Sequence, residues 1–284
     1  MKKIFTLLFA SGAVVVYAQP RIISQATVTT KTTVVAPESD EAPAGNFTTE
    51  SGDQVRVMRF GGDGETKTTT WLKNDLIKTF SESETGRTTV IRDNSKKLTT
   101  TIMEMMGRKT GFYATDEDQA EMGRRMDSMM QSRNQGASFG RSDRAPEFKI
   151  EYRDESKKIA GYNCKKALII ATRGNGRSDT TIVWYCPDFK LQGIPSTGGS
   201  LGGFGALATQ ATGSSGMENL NGFPLRYERT MNRGRKMTVE VTKLVIDKDI
   251  ADKEFEIPKD IEIKPLKDMQ NGGGPGMFQM RVGG

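Results

Sequence analysis

Short runs of β-branched and aromatic residues recur along most of this chain, and clusters of turn residues separate them. The segment from Arg21 to Val35 is rich in Ile, Val and Thr, which is typical of a first strand. Further runs follow roughly ten residues apart, at Gln54–Phe60, Glu65–Leu72, Leu76–Phe80, Thr88–Arg92 and Leu98–Met103. Parallel strands need crossovers of about a dozen residues or more, so this spacing predicts an antiparallel meander.

A second block of strand-like runs occupies the C-terminal half of the chain. It comprises Glu147–Tyr152, Asn163–Thr172, Thr180–Tyr185, Phe223–Thr230 and Met237–Ile246. A single sheet built from both blocks, with about nine or ten antiparallel strands, curls strongly. The expected fold class is therefore mainly β (α+β): an antiparallel curved sheet or half barrel with one or two short helices.

One segment between the two blocks has the periodicity of a helix. Thr115 precedes the acids at positions 116–118, which suit the first turn of a helix because its dipole attracts negative charge. Four methionines then recur at i, i+4, i+7 and i+8, on one helix face: Met122, Met126, Met129 and Met130. We expect a helical insertion near 116–133.

The N-terminus has the form of a secretory signal peptide. Lys2 and Lys3 precede a short apolar core, and small residues end it at Ala18. The core is shorter than the about 20 apolar residues of a transmembrane helix, so residues 1–18 are expected to be cleaved before Gln19. The protein would then be periplasmic or secreted and would not span the membrane.

The composition suggests three further divisions of the chain. Residues 19–53 are expected to hold an N-terminal strand and a flexible acidic loop, and residues 54–262 a single curved β-sheet domain. Within that domain, a stretch dense in Gly, Ser and Thr predicts an irregular excursion at 193–216. Residues 263–284 are expected to form a disordered Gly-rich tail.

The amino-acid composition excludes most catalytic sites. The 284 residues include no histidine and two cysteines, which excludes Ser-His-Asp and Cys-His nucleophilic sites, histidine-containing zinc sites and four-cysteine metal sites. Carboxylate pairs such as Asp116/Asp118 and Glu254/Glu256 lie in polar stretches, where no burial would raise a pKa. The 41 Lys and Arg exceed the 35 Asp and Glu only mildly, so no nucleic acid partner is expected. These features indicate a non-enzymatic protein without a cofactor.

The two cysteines flank a predicted hairpin. Asn175-Gly176 is a strong turn signal, and a hairpin folded about Asn175 places Cys164 opposite Cys186. Facing residues of antiparallel strands lie at a separation that a disulfide can bridge, and we expect that bond in an oxidising compartment. The alternative is a redox-active or metal-binding dithiol, although the sequence has no Cys-x-x-Cys motif.

Several segments of the C-terminal half carry a family resemblance. They are Lys157–Ala167 (KKIAGYNCKKA), Ile182–Tyr185 (IVWY), Gly222–Tyr227 (GFPLRY), Met237–Lys243 (MTVEVTK) and Phe255–Pro258 (FEIP). Together they resemble the secreted proteins grouped as domain of unknown function 4412, which are related to GLPGLI-type proteins. The resemblance implies a lipoprotein-carrier-like fold, in which an antiparallel sheet curves into a half barrel and helices close its mouth. The family has no established catalytic residues, so the resemblance implies none here.

A half barrel with an adaptable apolar lining suits an acyl chain or a hydrophobic peptide. The expected lining residues are Met122, Met126, Met129, Leu201, Phe204 and Leu207. A closed core without a ligand is the alternative for the same residues. Another hypothesis is Cu(I) binding by the methionine-rich span from Met103 to Met130, since thioethers are soft ligands.

Two functions from different classes therefore remain open at the level of sequence. The favoured one is an exported binding or carrier protein for a lipid or a hydrophobic peptide. The other is a structural or interaction module of the cell envelope, which docks a protein partner through the sheet edge or the Gly-rich excursion and holds no small ligand.

Overall fold

Strands dominate the structure, a computed structural model that describes residues 19–35, 37, 46–48, 54–56, 64–84, 86–133, 147–174, 176–192, 216–231 and 234–271. The strands before the first helix are β1 (Arg21–Ile23), β2 (Gln25–Val35), β3 (Asn46–Thr48), β4 (Gln54–Arg56), β5 (Gly64–Lys73), β6 (Leu76–Ser83), β7 (Gly86–Asp93), β8 (Leu98–Met105) and β9 (Arg108–Thr115). The later strands are β10 (Glu147–Ile159), β11 (Tyr162–Thr172), β12 (Ser178–Cys186), β13 (Phe189–Leu191), β14 (Phe223–Thr230), β15 (Lys236–Ile246) and β16 (Ile263–Pro265). The α-helices are α1 (Asp116–Arg133) and α2 (Leu266–Asn271), and short 3₁₀ turns span Met217–Asn219 and Asp252–Phe255.

Twelve of these strands form one sheet. Their order across it is β10-β11-β12-β14-β15-β2-β5-β6-β7-β8-β9-β16. Neighbouring strands are antiparallel, except that β16 runs parallel to β9. A small parallel pair joins β1 to β13, and a small antiparallel pair joins β3 to β4. The predicted fold class, a curved antiparallel sheet with few helices, is confirmed.

The first long strand of the chain, β2, lies in the middle of the sheet. It pairs with β15 on one side and with β5 on the other, so it joins the two strand blocks. Ala26, Val28 and Thr30 alternate along it and are almost completely buried. The strand that the sequence suggested as a segment ahead of the domain is therefore the central strand of its sheet.

The sheet has two faces of different composition, because successive residues of a strand point to opposite sides and directly paired residues share a side. We call the face that carries Ala26, Val28, Thr30 and Thr32 of β2 the front face, and the opposite one the back face. Lys31 lies on the back face, between Thr30 and Thr32 in sequence. The central region of the front face is mostly buried, and the turn at 217–219 packs residues against it.

A strap from residue 247 to residue 262 crosses the back face from β15 to the far edge of the sheet. Its acids bind lysines of two separate strands: Lys73 of β5 contacts Asp252 (Nζ–Oδ1 2.7 Å), and Lys109 of β9 contacts Asp260 (Nζ–Oδ2 3.1 Å). Phe255 of the strap is buried. The strap ends in β16, which extends the sheet beyond β9.

Two regions differ from the sequence-based expectation. β9 was not among the predicted strands, although it pairs with β8 along its whole length. The predicted disordered tail is wrong for residues 263–271, which form β16 and α2. Gly111 of β9 explains the docking of β16, because a Cβ there would lie 2.2 Å from Cδ1 of Ile263 and the missing side chain leaves room for it.

Other expectations fall outside the described residues. The predicted signal peptide (1–18), most of the acidic loop, the excursion at 193–215 and the tail from 272 onward are among these. Within the described part of the chain, no helix has both the length and the apolar character needed to cross a membrane.

Candidate functional site: the front face

The front face changes its chemistry where β15 meets β2. Val241 of β15 pairs with Thr30 of β2, and the same row continues through Thr68 of β5 to Ser81 of β6. Aliphatic side chains therefore give way to hydroxyl groups between two adjacent strands. The two sides are described below as the apolar half, on β10, β11, β12, β14 and β15, and the hydroxyl half, on β2 and β5 to β8.

The hydroxyl half is built from threonine and serine at alternate positions of five neighbouring strands. Its members are Thr30, Thr32, Thr66, Thr68, Thr70, Thr79, Ser81, Ser83, Thr88, Thr99 and Thr101. The central ones are buried: Thr68 and Thr70 are each 1% exposed. Buried hydroxyls require hydrogen-bond partners, and Thr68 pairs with Ser81 (Oγ1–Oγ 3.0 Å) and Thr70 with Thr79 (Oγ1–Oγ1 3.3 Å).

The apolar half is a packed floor of aliphatic and aromatic side chains. One row runs in register through Ala167, Val183, Tyr227 and Val239 and ends at Thr32 of the hydroxyl half. Two residues of the 217–220 segment, Met217 and Leu220, pack onto this row. Burial raises the pKa of Tyr227 to about 12, so its phenol stays neutral and the floor carries no charge there.

Charge is segregated from the front face in the centre of the sheet. On β2, β5, β6, β8 and β15, each front-facing position is occupied by an uncharged residue, whereas Lys31, Lys67, Glu82, Glu104 and Glu240 all face the back. These back-face charges lie in one cross-strand row with Arg226 and Arg87, and Arg87 contacts Glu82 (Nε–Oε1 2.9 Å). Charged groups thus lie on the back of these strands, and the centre of the front face is the uncharged and more buried side.

One hydroxyl of the front face has no hydrogen-bond partner among the residues that the structure describes. Oγ1 of Thr32 is buried and makes no hydrogen bond to the residues that the structure describes. It lies at the junction of the two halves, opposite Val239 on one side and Thr66 on the other. A buried polar atom without a partner is unusual in native proteins.

Helix α1 begins at the margin of the hydroxyl half. Arg92 of β7 faces front and binds the carboxylate of Asp116 with two terminal nitrogens (Nη2–Oδ2 2.9 Å). Thr115 caps the helix, because its hydroxyl accepts the backbone N–H of Asp118 (3.2 Å) while the Asp118 carboxylate accepts the backbone N–H of Thr115 (3.0 Å). Hydrogen bonds from Thr115 and Lys267 lower the pKa of Asp118 to about 2. The predicted helix start is confirmed in detail.

The structure describes only part of the predicted ligand lining. Met122 lies in α1 and is half-buried; Met126 and Met129 lie on the same helix, but their side chains are outside the described part. Leu201, Phe204 and Leu207 are outside it as well. That lining therefore stays a prediction.

The methionines proposed for Cu(I) occupy several elements. Met103 and Met105 face front on β8, and Met106 is 73% exposed at the tip of the β8–β9 turn. Met122 lies on α1. Strand, turn and helix thus each hold part of the predicted cluster, and copper binding stays a hypothesis.

The cysteine hairpin has the predicted register. Lys165 pairs with Tyr185, which puts Cys164 opposite Cys186 at the next position. Both cysteines are fully buried in the core cluster beneath β1 and β13. The structure holds them as free thiols, so the predicted disulfide is not formed in it. Burial raises the pKa of both thiols to about 11, and the thiolate required for oxidation is therefore scarce; bond formation in an oxidising compartment stays a prediction.

The titratable groups of the described residues do not resemble a catalytic set. Each carboxyl with a shifted pKa, including Asp93, Asp116 and Glu151, has it lowered, mainly by hydrogen bonds to hydroxyl, Arg or Lys groups. A general acid needs a raised pKa instead. The part of the chain that is described also has no cluster of acidic or cysteine side chains that would hold a metal ion.

Sequence reasoning missed the hydroxyl half, although a signal for it was present. Threonine recurs at alternate positions in β2 (TVTTKTTV), β5 (TKTTTW) and β8 (LTTTIM). Threonine has high β propensity, so in the sequence alone these residues indicate only strands. Their common face emerges once the register of adjacent strands is known.

Comparisons with known proteins agree with the sequence resemblance. A family model described as domain of unknown function 4412 matches residues 57–261. No curated protein matches the sequence significantly.

Solved structures that share features with this fold are distant. PNGF-II is 14% identical with a TM-score of 0.34; the match covers 90% of this chain, which spans about a third (33%) of the length of PNGF-II. A domain of an outer membrane lipoprotein-sorting protein from Vibrio parahaemolyticus is 8% identical with a TM-score of 0.26, and the match covers 82% of this chain and 89% of that one. A β-barrel-like protein of domain of unknown function 1849 from Brucella abortus is 9% identical with a TM-score of 0.17, and the match covers 81% and 100% of the two chains.

Proposed function

The chain belongs to the domain of unknown function 4412 family, and we propose that it is an exported, non-enzymatic binding or carrier protein that holds an amphiphile with an acyl chain on the front face of its sheet. Export is part of the proposal and rests on the signal-peptide character of residues 1–18. The ligand class rests on the front face.

The observation that carries the proposal is the continuous front face with an apolar half and a hydroxyl half. The row from Ala167 to Val239 offers aliphatic and aromatic surface to an acyl chain, and it meets hydroxyls at Thr32 without an intervening charge. Ligand sites are commonly mostly apolar, with a few placed polar groups that fix orientation. The sequence suggested a purely apolar ligand, and the hydroxyl half extends that proposal to an amphiphile.

Binding is favoured over catalysis because the described residues of the front face include no ionisable group poised for proton transfer. Threonine hydroxyls donate and accept hydrogen bonds but stay neutral. Arg92, which also faces front, is held by Asp116, Thr99 and Asn94. The described residues of this face are thus suited to hold and orient a molecule.

The edge strand β10 supports the carrier function over docking through the sheet edge. It carries many charged residues (EFKIEYRDESKKI), and its register against β11 shifts between Arg153 and Ser156. Charges and bulges on an edge strand disfavour the addition of a further strand. At the opposite edge, β16 is three residues long and ends in Pro265.

A displacement titration tests the proposal. N-phenyl-1-naphthylamine, an uncharged dye that fluoresces in apolar sites, is bound to the protein and displaced with a lauroyl amphiphile. Met237→Gln places a polar amide on the front face of β15, where Met237 packs against the apolar half. Lys243→Gln is the matched control, since it introduces the same side chain on the back face of the same strand.

We expect dye binding and displacement with the wild-type protein, at least fivefold weaker binding with Met237→Gln and no change with Lys243→Gln. Native mass spectrometry of protein recovered from an exporting host should show a co-purifying lipid. An empty protein that neither binds the dye nor carries lipid would contradict the proposal, and recovery with a stoichiometric protein partner would favour the interaction module.

A further inference from the structure

The front face also indicates which head group the ligand carries. The centre of the face has hydroxyls from eleven threonine and serine residues and no charged side chain on β2, β5, β6, β8 or β15. An ionised carboxylate or phosphate placed there would lose its hydration without a cation to replace it, and desolvating an unpaired charge is strongly unfavourable. A neutral head group with hydroxyl, ester or amide atoms meets no such penalty.

Thr32 marks the position at which the polar part of the ligand begins. Its Oγ1 is buried and lacks a partner among the described residues, whereas the neighbouring pairs Thr68–Ser81 and Thr70–Thr79 satisfy each other. Leaving a buried hydroxyl unpaired destabilises the protein. Thr32 also lies in the row of Val239, where the apolar half ends, so a molecule lying along that row would change from chain to head group at this hydroxyl.

The arginine nearest to the hydroxyl half does not provide a free anion site. Nε of Arg92 donates to Asn94 (3.0 Å), Nη1 donates to Thr99 (3.1 Å) and Asp116, and Nη2 donates to Asp116 (2.9 Å). Four of the five N–H groups of this guanidinium are therefore used by the protein, and its charge is balanced by the Asp116 carboxylate. Arg229 also faces front, beside Met237 at the end of β14, where the apolar half ends.

We propose that the front face selects acyl amphiphiles with an uncharged, hydrogen-bonding head group, such as a monoacylglycerol, and that Thr32 Oγ1 hydrogen-bonds the first polar atom after the acyl chain. Free fatty acids of the same chain length bind more weakly. This inference rests on the proposed function, because it names the ligand class of the same face.

The test compares two lauroyl ligands that differ only in the head group. 1-Lauroylglycerol and laurate, both below their aggregation thresholds at pH 7.5, displace the uncharged dye from the wild-type protein and from two variants. Thr32→Val removes the hydroxyl and keeps the side-chain shape. Thr33→Val makes the same change at the next residue, which faces the back.

We expect 1-lauroylglycerol to bind the wild-type protein at least tenfold more tightly than laurate. Thr32→Val should weaken 1-lauroylglycerol binding about fivefold, measured against the dye affinity of each variant, and Thr33→Val should leave 1-lauroylglycerol binding unchanged. Thr32→Val should also raise the urea midpoint of the ligand-free protein, because an unpaired buried hydroxyl is removed.

Each other outcome overturns part of the reasoning. Equal or tighter binding of laurate would overturn the head-group inference and would leave the proposed carrier function standing. Unchanged affinity of Thr32→Val for 1-lauroylglycerol, with a raised urea midpoint, would refute the contact at Thr32. Failure of both ligands and of the dye to bind would overturn the proposed function as well.

Discussion

Replacing Gly222 with alanine should destabilise the protein more than the matched substitutions Gly161→Ala and Gly64→Ala. Gly222 opens the segment Gly222–Tyr227, one of those that resemble the family, and lies against the end of β12. Its φ of +155° is a conformation that residues with a side chain rarely adopt. A Cβ on this residue would lie 2.2 Å from the carbonyl oxygen and 2.9 Å from the carbonyl carbon of Cys186. Both contacts are with backbone, so no side-chain rotation can relieve them.

The magnitude follows from two separate terms. Backbone strain at a positive φ costs about 1–3 kcal/mol for a residue with a Cβ, and the backbone clash adds an overpacking cost of about 1–3 kcal/mol. We therefore expect Gly222→Ala to lower the free energy of unfolding by about 3 kcal/mol or more. The displaced backbone would also disturb the pairing of Phe223 with Cys186.

Two control substitutions separate these terms. Gly161 has a φ of +89° and no atom within 4 Å of an added Cβ, so Gly161→Ala should cost about 1–2 kcal/mol from strain alone. Gly64 has neither a positive φ nor a neighbour within 4 Å, so Gly64→Ala should change the free energy by less than about 0.5 kcal/mol. Urea unfolding followed by tryptophan fluorescence measures all three variants. If Gly222→Ala lowers the free energy of unfolding no more than Gly161→Ala does, the clash with Cys186, and with it the close approach of Gly222 to the Cys186 backbone, is refuted.

Three further predictions concern the thiols, the cap of α1 and the strap. Cys164 and Cys186 are buried with pKa values of about 11, so the reduced protein should react with a thiol reagent at pH 8 far more slowly when folded than in urea. The pKa of Asp118 in the folded protein is about 2, below the ordinary value of 3.8. The ionised Asp118 carboxylate therefore stabilises the folded protein above pH 3.8, and this stabilisation is lost as the pH falls through about 2. Asp118→Asn should lower the free energy of unfolding at pH 7, and the variant and the wild-type protein should become equally stable near pH 2. Phe255→Ala should cost about 3 kcal/mol in urea unfolding, because it removes a buried ring from the strap.

Each of these has a matched control or a contrary outcome. Glu117→Gln alters the neighbouring exposed acid of α1 and should have little effect at any pH. Ile257→Ala removes a strap side chain that is 42% exposed and should cost much less than Phe255→Ala. Rapid labelling of the folded thiols would show that the cluster beneath β1 and β13 opens readily, which contradicts the packing described for it.

The strands that the sequence predicted correctly have strong local signals. β5 and β6 alternate buried residues with more exposed ones and are joined by a turn at Asn74, which adopts a φ of +52°. β9 lacked such a signal, because the turn before it contains Met106 at a φ of +50° followed by Gly107. Methionine is not a residue that marks a tight turn, so the hairpin was not recognised.

Other features depend on contacts that sequence periodicity does not encode. The place of β2 between β15 and β5 pairs residues more than 200 positions apart, such as Val28 with Leu244. The order in β16 and α2 depends on the space beside Gly111 and on the ion pair of Lys267 with Asp118. The local composition of this region, which leads into a Gly-rich end, indicated disorder instead.

The register of β2 links the fold to the proposed ligand chemistry. Side chains alternate with a period of two, so a slip by one residue would exchange the faces of the whole strand. Thr30 and Thr32 would then face the back, and Lys31 would face the front between the positions of Val241 and Thr68. Burying that ammonium without a carboxylate is strongly unfavourable, and the slip would also separate Lys31 from Glu65. The same alternation that makes the central front face uncharged therefore fixes the register at the strand that joins the apolar half to the hydroxyl half.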